Sequence, residues 1–191
     1  MNICVFGASS NAIGAHYLEA GERLGAALAR RGHGLVFGGG ANGLMGAVAR
    51  GVRSGGGRIL GVAPRFFNVD GVLYDACTEF IYTDTMRERK QIMEDRSDAV
   101  IMTPGGIGTF EEYFEMLTLK QLGRHSRPIA VFNVGGYFDE LLQMLEKAAR
   151  EQFMQPAALS LSRCFTDAEA MLDYIEAGES APVSVESMKN I

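Results

Sequence analysis

The chain has 191 residues, 47% of them hydrophobic, which is enough to bury one substantial core. Its formal net charge of −5 excludes the basic field expected of a general nucleic-acid binder, and no apolar run approaches the roughly 20 residues that span a bilayer. Because the N-terminus enters a predicted strand without the basic and apolar regions of a secretory signal, we expect a cytoplasmic protein.

Cysteine and histidine usage sets expectations about redox state and metals. The chain has three cysteines, Cys4, Cys77 and Cys164. Their odd number, wide spacing and apolar neighbours are typical of reduced core thiols in a cytoplasmic protein. None of the three histidines lies in an HExxH motif or a similar spacing, so we expect no metal site.

Short apolar runs alternate with helical periodicities along the chain. The predicted strands lie at 2–6, 34–37, 58–62, 80–82, 98–103 and 128–132. The predicted helices lie at 12–31, at 44–53, from 85 to about 96, after the glycine loop at 105–108, across 138–149, and up to 175. The last of these helices opens with a capping box formed by Thr166 and Glu169. Segment 65–78 has no clear period and is predicted to be a loop over the site.

This alternation predicts an α/β fold with one doubly wound, Rossmann-like, mostly parallel sheet and helices on both faces. We expect a single domain over 1–177 and a polar tail over 178–191. Ligands of such sheets bind beyond the carboxyl ends of the strands. The loops that contain Ser9, Gly38–Gly43 and Gly105–Glu112, together with the helix start at Thr85, all lie at that edge. The sequence therefore predicts one crevice there.

The stretch 104–112 reads PGGIGTFEE and joins a buried strand to a helix. Glycines allow the backbone to approach a ligand, and the first turn of a helix offers N–H groups at its positive end. We therefore expect this loop to bind a phosphate. The predicted helix has an apolar stripe of Phe110, Tyr113, Phe114 and Leu117.

Two interpretations of Glu112 stay open at this point. Thr109 and Glu112 have the spacing of a capping box, in which the carboxylate only terminates the helix. Alternatively, Glu112 is a catalytic carboxylate beside the predicted phosphate site.

A second glycine motif, Gly38-x-Gly40-x-x-Gly43, has the spacing of a dinucleotide fingerprint. That fingerprint also needs an acidic residue about 20 positions further on, and the chain has no Asp or Glu between Glu22 and Asp70. No P-loop motif is present either. A mononucleotide held by its phosphate fits these features better, although tight strand–helix packing also explains some of the glycines.

The predicted helix after Thr85 begins with a capping box of Thr85 and Glu88 and carries two cations on an apolar stripe. That stripe consists of Met86, Arg89, Lys90 and Met93. The two cations either extend to solvent, as long basic side chains commonly do, or contact a ligand or carboxylate in the crevice. An arginine opposite Glu112 would place a donor and a carboxylate around a nucleotide.

Two stretches resemble the paired signature of the LONELY GUY (LOG) family, PGGxGTxxE with MxxRK: residues 104–112, PGGIGTFEE, and residues 86–90, MRERK. Members of this family are cytokinin riboside 5′-monophosphate phosphoribohydrolases and are often mislabelled as lysine decarboxylases. The resemblance extends over nearly the whole chain, through GASS at 7–10, GGG at 38–40, GLMG at 43–46, QLGxH at 121–125, NVxGY at 133–137 and the stretch 161–166.

The resemblance implies hydrolysis of the N-glycosidic bond of an N6-modified AMP to free base and ribose 5-phosphate. It makes Arg89 and Glu112 the catalytic pair. It assigns phosphate binding to Gly105, Gly106, Gly108 and Thr109, and other nucleotide contacts to Ser9, Met86, Lys90 and Glu111. It also implies a small-molecule nucleotide as partner, a homodimer with sites near the subunit interface, and no cofactor.

Two residues depart from the family pattern, and several alternative functions stay open. Ala8 replaces a glycine often found in that loop, and Arg87 replaces a common histidine, so the identity of the base stays open. A nucleotide or molybdenum-cofactor carrier that does not hydrolyse its ligand is the main alternative. A broader nucleotide nucleosidase is another. A pyridoxal-phosphate decarboxylase needs a Schiff-base lysine, and no local context marks one of the four lysines for that role.

Overall fold

A computed structural model describes residues 1–178 of the chain. Its strands are β1 (Asn2–Phe6), β2 (Gly34–Phe37), β3 (Ile59–Pro64), β4 (Glu79–Thr83), β5 (Ala99–Met102), β6 (Ile129–Phe132) and β7 (Arg163–Phe165). Its α-helices are α1 (Ala15–Arg30), α2 (Gly43–Ser54), α3 (Met86–Asp95), α4 (Ile107–Gln121), α5 (Asp139–Arg150) and α6 (Ala168–Ala177). Short 3-10 turns occupy Arg65–Phe67, Val134–Gly136 and Pro156–Leu161.

The seven strands form one sheet in the order β4-β3-β2-β1-β5-β6-β7, and every pairing between these described strands is parallel. The chain winds outward from β1 in one direction and then returns to β5 to wind in the other. The strand order thus reverses between β1 and β5, which is where doubly wound sheets bind ligands. This confirms the predicted fold class.

The side-chain alternation of β1 shows how the sheet separates two cores. Ile3 and Val5 belong to the core under α1, α2 and α6, whereas Cys4 and Phe6 belong to the core under α3, α4 and α5. Burial on both faces explains why these strands read as continuous apolar runs. Among residues 1–178, no helix is long and apolar enough to cross a membrane.

The helix starts differ from the sequence prediction at two places. α4 begins three residues earlier than the predicted capping box required: Gly106, not Thr109, is its N-cap, and no described side chain caps it. The box of Thr109 and Glu112 is therefore wrong, because both side chains lie inside the helix and face the protein interior. The last helix is capped by Asp167, whose side chain accepts from Ala170 N, rather than by Thr166. The predicted box of Thr85 and Glu88 in α3 is confirmed.

Three further expectations need correction. The strand β7 was not predicted, because three residues are too few to show a period. Phe114, predicted to be in the apolar stripe of α4, is 36% exposed, since Met116 takes the buried position. Cys164 is exposed rather than in the core, although all three cysteines are free thiols. The predicted tail lies outside the described residues except for Gly178, which is the C-cap of α6.

Lys120 is an unexpected charge within the core. It lies in the last turn of α4, is 2% exposed, and its Nζ has no hydrogen-bond partner among the described residues. Burial lowers the pKa of Lys120 from 10.5 to about 8, because the ammonium loses its hydration. The protonated side chain therefore costs folding free energy at neutral pH.

We expect Lys120→Met to stabilise the protein by about 1–3 kcal/mol at pH 7, since methionine fills similar space without a charge. In the parent, the unfolded chain binds more protons than the folded one between pH 8 and 10.5, so stability rises with pH across that window. The variant should lose this rise. Urea denaturation against pH measures both effects, with the exposed Lys147→Met as control; equal behaviour of the two variants would contradict the assignment.

Candidate active site

The exit loops of β1, β2 and β5 meet at the carboxyl edge of the sheet and enclose a cleft of about 560 Å³. The reversal of strand order opens this space, because the loops after β1 and β5 turn away from each other. Two bonds fix the loops nonetheless. Ala8 N donates to the Pro104 carbonyl at 3.0 Å, and the Tyr137 hydroxyl donates to the Gly105 carbonyl at 2.7 Å. These hydrogen bonds hold the loops that form the cleft in a defined arrangement.

The N-terminus of α4 forms one end of the cleft. Gly106 and Gly108 line it, and an added Cβ at either position would meet only open space. Gly105 lies behind them, where a Cβ would come within 2.1 Å of Thr109 Oγ1. This turn leaves backbone N–H groups without intrahelical partners at the positive end of a 15-residue helix. It is suited to bind an anion such as phosphate.

A buried ion pair also lines the cleft, one helical turn along α4 from its start. Arg89 from α3 donates through Nη1 to Glu112 Oε1 of α4 at 2.5 Å, and through Nε to the Val62 carbonyl of β3 at 3.2 Å. Arg89 is 6% exposed and Glu112 is 8% exposed, yet both line the cleft. The structure therefore brings together the two residues predicted to be catalytic, and Arg89 does not extend to solvent.

The environment of Glu112 changes its protonation. Burial raises the pKa of the Glu112 carboxyl above its ordinary value of 4.5, and Arg89 offsets this only in part. The neighbouring charge of Glu111 raises the pKa further, whereas that of Lys90 lowers it. A carboxylate whose pKa moves toward neutrality beside a fixed cation is typical of a catalytic acid or base.

The predicted site residues do not all share the cleft. Those that line it are Ser9, Met86, Arg89, Gly106, Gly108, Thr109 and Glu112. Lys90 and Glu111 lie instead on a second cavity of about 700 Å³ between α3 and α4, which Arg87 also lines. There Lys90 contacts Glu111 and lies 2.8 Å from Glu115. Burial alone would lower the pKa of Lys90, but its bonds to these carboxylates raise it. The roles of all these residues stay predictions.

The sequence interpretation missed the apolar wall of the cleft, which consists of Met45, Phe67, Val72 and Leu73. Three of these belong to the segment that was predicted to cover the site. Its backbone joins the loop after β2 through bonds from Ala41 N to the Val72 carbonyl and from Tyr74 N to the Gly39 carbonyl. The adjacent apolar residues at 66–67 and 72–73 indicate that this segment contributes an apolar surface. No sequence pattern indicates that its backbone bonds to the glycine loop after β2.

Within residues 1–178, no group of three or more His, Cys, Asp or Glu side chains is arranged to hold a metal ion. Similarly, no lysine is among the described residues that line the cleft, so the candidate site offers no Schiff-base nucleophile.

The fold and the cleft define a Rossmann-like α/β protein with an uncapped, glycine-containing helix start beside a buried Arg–Glu pair. Sequence comparison adds the family. The protein-family model described as "Possible lysine decarboxylase" matches residues 45–175. A protein of Oryza sativa subsp. japonica, named probable cytokinin riboside 5′-monophosphate phosphoribohydrolase, is 40% identical over 181 residues, which cover 95% of this chain and 79% of that protein. The chain belongs to the LOG family.

Further relatives agree. A protein of Arabidopsis thaliana with the same probable name is 41% identical over 157 residues, covering 82% of this chain and 78% of its own. A second Arabidopsis protein, named cytokinin riboside 5′-monophosphate phosphoribohydrolase, is 37% identical over 174 residues, covering 91% and 82%. The family resemblance seen in the sequence is thereby confirmed.

Among solved structures, the molybdenum cofactor binding protein of Rippkaea orientalis has a TM-score of 0.71 at 22% identity, covering 92% of this chain and 95% of its own. The molybdenum cofactor carrier protein of Chlamydomonas reinhardtii has a TM-score of 0.71 at 21% identity, covering 93% and 96%. At such identities these likenesses show the shared fold alone.

Proposed function

We propose that this protein hydrolyses the N-glycosidic bond of adenosine 5′-monophosphates, including N6-modified ones, to free base and ribose 5-phosphate. The single observation that carries the proposal is the buried pair of Arg89 and Glu112, which lines the same cleft as the N-terminus of α4. The reaction is the one for which the relatives are named, and the buried Arg–Glu pair beside the start of α4 provides side chains that suit it.

The first step is binding of the nucleotide by its phosphate. The N–H groups of the first turn of α4 and the positive end of its dipole attract the dianion, and Gly106 and Gly108 let it approach the backbone closely. The Thr109 side chain is buried against Gly105 and stabilises the loop shape. The apolar wall of Met45, Phe67 and Val72 suits the flat face of a base.

Bond cleavage then develops positive charge on the ribose, as in glycoside hydrolysis. Glu112 stabilises that charge and orients or deprotonates the attacking water, for which a pKa raised toward neutrality is favourable. Arg89 keeps a permanent charge, holds the Glu112 carboxylate in place, and anchors the departing base or the phosphate. Lys90 and Glu111 would act only from the neighbouring cavity.

The substrate class and the catalytic role of Glu112 are tested together by turnover of AMP, isopentenyl-AMP and pyrimidine monophosphates. We expect freed adenine-type base and ribose 5-phosphate from the parent, and a loss on the order of 10²–10³ in kcat for Glu112→Gln. Glu115→Gln, on the same helix but facing Lys90, is the matched control and should retain activity. Nucleotide binding without release of base would instead identify a carrier.

The pH dependence of kcat/KM tests the ionised form of Glu112. Activity needs the carboxylate, so it should fall as pH drops through a pKa above 4.5. Glu111→Gln removes a neighbouring negative charge and should shift this acid limb to lower pH. Titration of the substrate phosphate, near pH 6, is the same for both enzymes and does not contribute to the difference. An acid limb that does not move would contradict the assignment.

We also infer that the active protein is a cytoplasmic homodimer. Two apolar side chains at the cleft are exposed, Ile107 at 88% and Met86 at 39%, and Phe114 is exposed further along α4. A second copy that covers them would complete the wall of the site. Light scattering should give twice the 20.7 kDa monomer mass at the concentrations used for assay, and a monomer that is fully active would contradict the inference.

A further inference from the structure

Gly38 directly follows β2, and neither the predicted phosphate loop nor its backbone conformation explains why this position is a glycine. It is buried, and it is absent from the glycines with positive φ, which include Gly39 and Gly43 of the same motif. Those two have a conformational reason to be glycine, whereas Gly38 adopts backbone angles open to alanine. The reason for a glycine here must therefore lie in the atoms that occupy the space of a side chain.

Those atoms belong to the guanidinium of Arg89. A Cβ built on Gly38 would lie 2.1 Å from Arg89 Nη2, 3.2 Å from Cζ and 3.6 Å from Nε, and these are its three nearest atoms. The space that a side chain would take at Gly38 is thus occupied by the planar end of Arg89. No backbone atom competes for it within that distance, so an added methyl would displace the guanidinium rather than the chain.

The guanidinium is held on its other edges. Nε donates to the Val62 carbonyl at 3.2 Å and Nη1 donates to Glu112 at 2.5 Å. Since Arg89 is almost wholly buried, a shift forced at Nη2 must alter these two bonds as well. The van der Waals separation of non-bonded heavy atoms is about 3.5 Å, so a contact at 2.1 Å requires a displacement on the order of 1 Å.

We propose that Gly38 is a positioning residue, whose missing side chain fixes the Arg89 guanidinium against the Glu112 carboxylate. Its effect on catalysis rests on the proposed function, but the positioning itself does not. The first glycine of the Gly38-x-Gly40-x-x-Gly43 motif thereby has the role of leaving room for the Arg89 side chain, rather than of approaching a dinucleotide or packing against a helix.

The positioning is tested first without substrate. In ¹⁵N NMR spectra of the full chain, the Arg89 Nε–Hε signal is identified by its loss in Arg89→Lys. We expect Gly38→Ala to shift or broaden this signal. The matched control is Gly57→Ala, which crowds Val52 Cγ1 at 2.7 Å at a site remote from the cleft and should leave the signal in place. An unmoved signal in Gly38→Ala overturns the inference.

Kinetics then link the positioning to the reaction. Gly38→Ala should lower kcat for AMP by about 10²-fold, because a misplacement of about 1 Å at a catalytic group has that effect. If the signal moves and kcat does not fall, the positioning stands and the catalytic role of Arg89 fails; the two proposals are therefore separable.

A stability cycle covers the case in which Gly38→Ala folds poorly. In the Arg89→Ala background the guanidinium is gone, so the methyl of Gly38→Ala enters vacated space and should change the urea midpoint little. In the parent background the same substitution should lower the midpoint. An equal decrease in both backgrounds would show that Gly38 serves packing or ligand approach independently of Arg89, and would overturn the inference.

Discussion

The buried ion pair of Arg89 and Glu112 is the interaction on which the site depends. Two opposite charges removed from water repay their desolvation only when geometry and additional hydrogen bonds are good. Here α3 supplies the cation, α4 supplies the anion, and the carbonyl of Val62 in β3 completes the coordination of the guanidinium. The pair thus links both helices to the sheet edge, and both of its side chains line the cleft.

The helix α4 contributes two features to the cleft along its length. Gly106 and Gly108 leave backbone N–H groups accessible at its start, while its second turn bears the carboxylate of Glu112. Both belong to one rigid helix of 15 residues, so the distance between the anion site and Glu112 is set by helix geometry rather than by loop conformation. Such fixed spacing is what electrostatic preorganisation requires, because the groups need no rearrangement during the reaction.

Much of this could be predicted from the sequence. Strand runs such as 34–37 and the capping box of Thr85 gave the alternation and hence the sheet, since burial on both faces leaves continuous apolar stretches. The pairing of Arg89 with Glu112 followed from the family signature and from the placement of both on elements that begin at one edge of the sheet. The capping box at Thr109 failed because local spacing does not show whether a carboxylate meets its own backbone or a partner from another helix. The buried Lys120 had no periodic signal that separates it from a surface lysine.

The segment over the cleft has a consequence for how substrate preference can vary. Its backbone bonds to the loop after β2, including an antiparallel bridge of Gly40 and Leu73, tie it to the exit of that strand. Under the proposed function, the apolar wall that faces the base and the ion pair that acts on its bond lie on different segments of the chain. Changes in the length or residues of 66–73 would then alter which base fits without altering the ion pair, so that selectivity and reactivity are structurally modular.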